Sequence, residues 1–229
     1  MNLFFSNFSE TDNEIIVNEN DSKHILKTYR RDIGDIINFT NGNGLLAECM
    51  IIEKGKKVKV KIKKLSKQNP EKASIHIAIS PLKNQSRFEW FVEKATEIGV
   101  REITPIITKH SEKKKVNHER LERITISSLK QSNQVFKPKI NNTEKFSDFL
   151  KNNKDQKIMA NLKTKNILKE KFVNSNKVCL IIGPEGGFSD DEIQEAKNNN
   201  ITEVSFGKNR LRSETAAIFG LSILRSIIT

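Results

Sequence analysis

The residues whose types and spacing point most directly to chemistry are Gly183-Pro184-Glu185-Gly186-Gly187-Phe188, followed by Ser189-Asp190-Asp191-Glu192. Glycines let a backbone turn tightly and leave it open to a ligand lying against it. Gly186 is the position expected to touch that ligand, with a positive φ as a further demand. Phosphate suits the turn poorly. Neither a G-x-x-x-x-G-K-[ST] loop nor a G-x-G-x-x-G fingerprint is present, and Asp190, Asp191 and Glu192 occupy the positive end of the next helix dipole, where they would repel it. A ligand with an adenine, a ribose and a sulfonium but no phosphate fits better. An ordinary tight strand-to-helix turn would carry the same glycines.

A second turn follows in Val204-Ser205-Phe206-Gly207, running into Arg210-Leu211-Arg212-Ser213-Glu214-Thr215-Ala216-Ala217. Two glycine turns leaving adjacent parallel strands would meet at the carboxyl edge of a sheet, where α/β proteins keep their ligands.

The elements that must position these turns follow from the apolar pattern. Val178 to Ile182 is a continuous apolar run, as in a strand covered on both faces. Ser189 with Glu192 forms a capping box that starts the helix 190–198. Upstream, strands at Ile75–Ile79, Ile103–Thr108 and Lys157–Ala160 alternate with helices, the mark of a parallel sheet. Ser86 with Glu89 predicts a helix whose stripe of Phe88, Phe91, Val92, Ala95 and Ile98 packs inward until Gly99 stops it. Phe88 and Trp90 together could stack bases, but their helical spacing fits core packing better. Asn117 is expected to cap a helix ending near Gln131-Ser132, Ile167–Phe172 to form one turn, Val204–Phe206 a strand, and a last helix to begin near Glu214. The apolar face of that last helix, Leu221 included, is broad enough to be shared with a second subunit.

Residues 1–70 read differently. Short apolar runs separated by Asn, Asp and Gly predict a small β domain, with a hairpin at Asn41-Gly42-Asn43-Gly44 and one helix within Asp21–Arg30. In Val58-Lys-Val-Lys-Ile-Lys63 the alternation turns Lys59, Lys61 and Lys63 to one face. They could line an RNA backbone or protect a solvated edge strand from aggregation. Asn69–Lys72 is the expected linker.

The chain has 229 residues, with 40 Lys and Arg against 28 Asp and Glu, a formal charge of +12 that favours a polyanionic partner. Residues 178–229 are net acidic, so a nucleic acid would lie on upstream segments and only reach toward the glycine turns. Cys49 and Cys179 are far apart in apolar stretches, which argues for reduced core residues over a disulfide or metal pair. The four histidines lack metal-ligand spacing. With no membrane-length apolar run and no signal sequence, a soluble cytoplasmic protein is expected.

Gly-Pro-Glu-Gly-Gly-Phe (183–188) together with Arg-x-Leu-Arg-x-Glu-Thr-Ala (210–217) resembles the bacterial 16S rRNA uridine-N3 methyltransferases, SPOUT-superfamily enzymes that use S-adenosylmethionine (SAM). Glu93–Val100 and Pro105 also match, and the likeness covers roughly 75–229. The resemblance implies a SPOUT α/β knot (73–229), its parallel sheet closed by a deep trefoil knot, and a PUA-like β-barrel (1–70) that helps hold the rRNA. It implies a homodimer through the knot domain.

Ala160, Asn161, Leu162, Ile182, Gly183, Pro184, Gly186, Gly187, Phe206, Gly207, Leu211, Arg212 and Thr215 would then hold SAM. Lys59, Lys61, Lys63, Gln131 and Ser132 would meet RNA, although Asn133-Gln134 follow where the family places an arginine. Arg212 would stabilise the anion developing on uracil and Glu214 would take the N3 proton, unless the two merely order the knot. A basic RNA-binding module without cofactor, or a nucleotide-dependent oxidoreductase, would use the same composition. The intact glycines oppose the first and the acidic helix start opposes the second.

Overall fold

A computed structural model describes residues 3–153, 155–171 and 175–228. The chain divides into two compact units, Met1–Pro70 with Ile126–Lys137, and Glu71–Thr125 with Pro138–Thr229.

In the first unit, β1 (Leu3–Phe5), β2 (Glu14–Ile16), β3 (Ile36–Thr40), β4 (Leu45–Glu53) and β5 (Lys59–Lys67) form a half-barrel sheet in the order β1-β3-β4-β5-β2. Helix α1 (Glu19–Lys23) runs into a π-helical turn, His24–Thr28, within the segment expected to be one helix. Alternation along β4 and β5 buries Ala47, Cys49, Ile51, Val58 and Val60 in one core. β5 pairs with both β4 and β2, so it is not the edge strand that its lysines suggested.

The Asn41–Gly44 hairpin forms as expected, with Asn41 Oδ1 accepting the Asn43 and Leu45 amides. Its tip also explains why 126–137 belongs to this unit. Gly44 N–H donates to Val135 O and Lys137 N–H to Gly42 O, pairing a distant segment with the turn. Nothing in the local sequence signals that long-range pairing.

The second unit carries β6 (Ser74–Ile79), α2 (Gln85–Ile98), β7 (Glu102–Ile107), the start of α3 (His118–Gln131), β8 (Lys139–Ile140), β9 (Glu144–Lys145) and α4 (Phe146–Asn152). Then follow β10 (Gln156–Ala160), α5 (Leu168–Lys171), β11 (Lys177–Ile182), α6 (Asp190–Asn198), β12 (Thr202–Val204) and α7 (Ser213–Ile228). The sheet is parallel, ordered β12-β10-β11-β6-β7-β8, with β9 also paired to β7. The expectation that the glycine turns leave adjacent strands is corrected: β10 lies between β11 and β12. α2 and α7 cover one face around Ile77, Ile79 and Leu180, while α4 and α6 cover the other around Ala78, Met159 and Ile181.

Four local expectations are revised. Asn84, not Ser86, caps α2, because its side chain accepts the Ser86 and Arg87 amides and leaves Ser86 inside the first turn. Phe88 is buried but Trp90 stays 43% exposed. β12 ends at Val204, because Ser205 Oγ bonds the Gly207 amide and carbonyl, and Phe206 leaves the sheet to pack edge-on against Phe219. Leu221 is fully buried within its own chain and cannot be a shared-face residue. The expected helix end at Phe172 lies outside the described residues. Asn117 does cap α3, through Arg120 N–H. Both cysteines are free and buried, and burial raises the Cys49 thiol to about 12.

α7 crosses β11 at Gly220. A Cβ there would overlap Leu180 Cδ2 and fall 2.7 Å from Phe206 Cζ. Alanine should add about 1 kcal/mol of helix propensity but cost about 1–3 kcal/mol in overpacking. Gly220→Ala should therefore lower the urea midpoint; a rise would contradict the close approach.

Candidate cofactor pocket at the carboxyl edge

The turns after β10, β11 and β12 open onto one cavity of about 600 Å³, within the size range of small-ligand sites. Ala160–Lys163, Ile182–Phe188 and Phe206 line it from the three turns, Asn209–Arg212 from the segment entering α7, Ser213 and Ala216 from its first turn, and Arg87 from α2. Apolar residues form much of the wall, a composition suited to a flat heteroaromatic with a few polar edges.

Each turn has its own fastening. Asn161 N–H donates to Val204 O, and its side-chain amide donates to Glu203, tying the first turn to β12. In the second, positive φ falls on Gly187 (73°) and not on Gly186, so the demand expected of Gly186 belongs to its neighbour. A Cβ on Gly186 would sit 3.2 Å from His110 Cβ, while His110 Nδ1 lies 3.0 Å from Gly187 O. Gly183 is small for another reason: its Cβ would meet the Phe188 ring at 2.9 Å. In the third turn, Gly207 has φ 122°, and Arg210 Nη2 donates to Glu185 O at 2.8 Å, joining the second and third turns.

The start of α6 is already satisfied. The Ser189–Glu192 capping box is complete, and buried Glu192 also accepts the Lys109 amide at 2.7 Å. Its amides and its carboxylates leave phosphate no place there. The residues present fit an adenosine-type ligand without phosphate.

Most expected cofactor residues line the cavity: Ala160, Asn161, Leu162, Ile182, Gly183, Pro184, Gly186, Gly187, Phe206, Leu211 and Arg212. Gly207 and Thr215 do not, and neither does Glu214, the expected proton acceptor. Thr215 is solvent-exposed on the first turn of α7. Glu214 is buried, 3.7 Å from Arg87 Nε, so it faces an arginine and not the cavity. Arg87, Lys163, Glu185, Arg210 and Ala216 were missed. Arg87 was hidden because it adjoins Phe88 in a helix read for its apolar stripe, and the others because the motif glycines drew the reading. Of the expected RNA residues, Lys59 is paired with Glu14 at 2.7 Å, a hydrogen bond that raises its ammonium pKa. Lys61 and Lys63 are exposed, Gln131 is exposed, and Ser132 Oγ donates to Ser128 O.

The parallel sheet and the triple-turn cavity at its carboxyl edge are the frame of a SPOUT-type fold. A family model described as an RNA methyltransferase domain matches residues 69–225. Among curated proteins, the ribosomal RNA small subunit methyltransferase E of Rickettsia conorii is 31% identical over 210 residues, 88% of this chain and 85% of its own length. That of Mesomycoplasma hyopneumoniae is 38% identical over 168 residues, 70% of this chain and 73% of its own. The chain belongs to the ribosomal RNA small subunit methyltransferase E family. A probable rRNA methyltransferase from Porphyromonas gingivalis superposes with a TM-score of 0.91 at 30% identity, covering 99% of this chain and 98% of that one. A putative methyltransferase from Legionella pneumophila, solved with bound SAM, gives 0.88 at 27% identity, covering 98% and 97%.

Glu192 joins the 109–110 loop to the second turn. Glu192→Gln can retain only part of this bonding, and the protein should lose about 1 kcal/mol of stability. Hydrogen exchange at the Lys109 amide should accelerate beyond the global change; unchanged exchange there would refute the tether.

Proposed function

We propose that this chain is a SAM-dependent methyltransferase acting on N3 of a uridine in 16S rRNA, in the free RNA or the small subunit. The observation that carries the reading is the convergence of three turns on one phosphate-averse cavity bordered by Arg87, Arg210 and Arg212. The names of its relatives and the SAM bound to the Legionella protein support it. The polar edges of adenosine would be met by backbone groups of Ala160–Leu162, Ile182–Gly187 and Phe206–Leu211. When bound, SAM supplies a methyl group on a sulfonium, and transfer to nitrogen is an in-line displacement governed largely by orientation.

Uracil N3 is hidden in a paired stem, so the target base must be unpaired or flipped to enter. As N3 loses its proton, negative charge spreads to the uracil oxygens. Arg212 is exposed at the cavity, and among the described residues its guanidinium has no hydrogen bond or ion pair, which leaves it available for that charge. Glu214 is assigned a different task from the one its sequence position suggested: it fixes Arg87. Glu185 is the one carboxylate on the wall among the described residues and is the candidate proton acceptor. A cofactor-free module would have no use for a cavity this size fastened at each turn.

A homodimer through the second unit belongs to the same proposal. On α7, Ala216, Phe219 and Ile223 share a face; Phe219 is 45% exposed and packs on Phe206 of the third turn. Phe219→Glu would place a charge on that face and should shift the protein to monomer at micromolar concentration in sedimentation. A parent that is already monomeric would remove this part.

For the chemistry, single-turnover methylation of small subunits from cells lacking the modification is the direct assay. Arg212→Ala should lower the rate by about 10²-fold with RNA affinity retained, the usual loss for one charge-stabilising donor. A parental rate at saturation would move the active site elsewhere. Mapping the methyl group to a position other than uracil N3 would overturn the specificity.

A further inference from the structure

The first unit carries an aromatic stack that no part of the cofactor site uses. His24 and Tyr29 lie parallel, ring centroids 4.8 Å apart at 5°, and Phe4 meets Tyr29 edge-on at 6.0 Å. His24 is exposed and Tyr29, the only tyrosine in the chain, is 39% exposed. The stack is built by the His24–Thr28 π turn, a wound form of helix that is rare and frequent at functional sites. Tyr29 N–H reaches His24 O and Arg31 N–H reaches Ile25 O, so the turn ends with Arg30 in the left-handed region at φ 51°. Helix ends of this kind usually place glycine there. Here the position holds an exposed guanidinium.

Charge around the stack is one-sided. Each carboxylate between residues 19 and 35 has a cation: Glu19 pairs with Lys56, Asp21 with Lys130, Asp32 with Lys54 and Asp35 with Arg31. Lys23, Lys27 and Arg30 are exposed and, among the described residues, have no such partner. Exposed rings beside unpaired cations are the combination that holds single-stranded nucleic acid, rings stacking bases and cations neutralising phosphates.

We propose that His24 and Tyr29 form a stacking platform for an unpaired RNA base, with Lys23, Lys27 and Arg30 on the flanking phosphates. This rests on the reading of the chain as an RNA-modifying enzyme and adds a site outside its cofactor cavity. It also differs from the β5 stripe, where Lys59 is already paired.

The full-length chain can be tested by anisotropy with a short fluorescein-labelled oligouridylate across a salt series, with SAM binding measured in parallel. The double variant His24→Ala/Tyr29→Ala should weaken RNA binding roughly tenfold or more, the scale of a lost base stack, with its salt slope kept. Lys23→Gln/Lys27→Gln should flatten the slope by roughly 1.4, about 0.7 for each phosphate contact on a single strand. Arg30→Gly should weaken RNA binding while the urea midpoint holds or rises, a split that a purely structural arginine would not give. All variants should bind SAM as the parent does. If the double alanine variant, folded as judged by its melting curve, binds within twofold of the parent, the proposal is overturned and the surface faces a protein neighbour instead. A parent that binds SAM but no oligouridylate also overturns it and leaves the cofactor reading standing; a parent that binds neither removes both.

Discussion

The close approach of α7 to β11 at Gly220 is the contact on which the rest of the second unit depends. Glycine lets the helix lie against Leu180, in the middle of the central strand, and against Phe206, in the third turn. α7 is thereby drawn across the sheet until it also packs on β6 and α2. Its first turn ends up beside the second glycine turn, so residues 209–216 and 182–188, far apart in the chain order of strands, share a wall. A larger residue at the crossing would push apart the two elements that define the cavity, so packing in the core and the shape of the site are one problem.

Hydrogen bonds then fix what packing brings together. Asn161 ties the first turn to β12, Arg210 ties the third turn to the second, and Glu192 ties the second to the loop after β7. The cavity is held by contacts between turns more than by any single turn, which suits a ligand that needs its edges met at fixed positions. The charges divide in the same way. At the start of α6 Glu192 is occupied by capping and Asp191 pairs with Lys109, a buried glutamate faces Arg87, and arginines border the open space.

Much of this was legible in the sequence because the signals were local. Continuous apolar strands, the Ser189–Glu192 box, the Asn41–Gly44 hairpin and the glycine turns each depend on a few neighbouring residues. Some failures are local, as at the Asn84 cap of α2 and the Ser205–Gly207 turn that ends β12, but those that shape the site are long-range. The order of β10, β11 and β12 cannot be read from any one strand, and the return of 126–137 to the hairpin tip is made by main-chain bonds across nearly a hundred residues. Leu221 looked available because helical periodicity gives an apolar face without saying how much of it the chain covers itself. Glu214 looked chemical because it lies two residues from Arg212, yet it sits in the first turn of α7 while Arg212 precedes the helix, and its partner comes from α2.

The proposed cofactor is received by the three turns and the segment that enters α7, and by no part of β1 to β5. Backbone amide chemical shifts recorded while SAM is titrated into the labelled protein test this placement most directly. The account predicts perturbations concentrated at Asn161–Lys163, Gly183–Phe188 and Phe206–Ser213, with β1 to β5 silent. Saturable shifts centred anywhere else, or none at millimolar SAM, would contradict it.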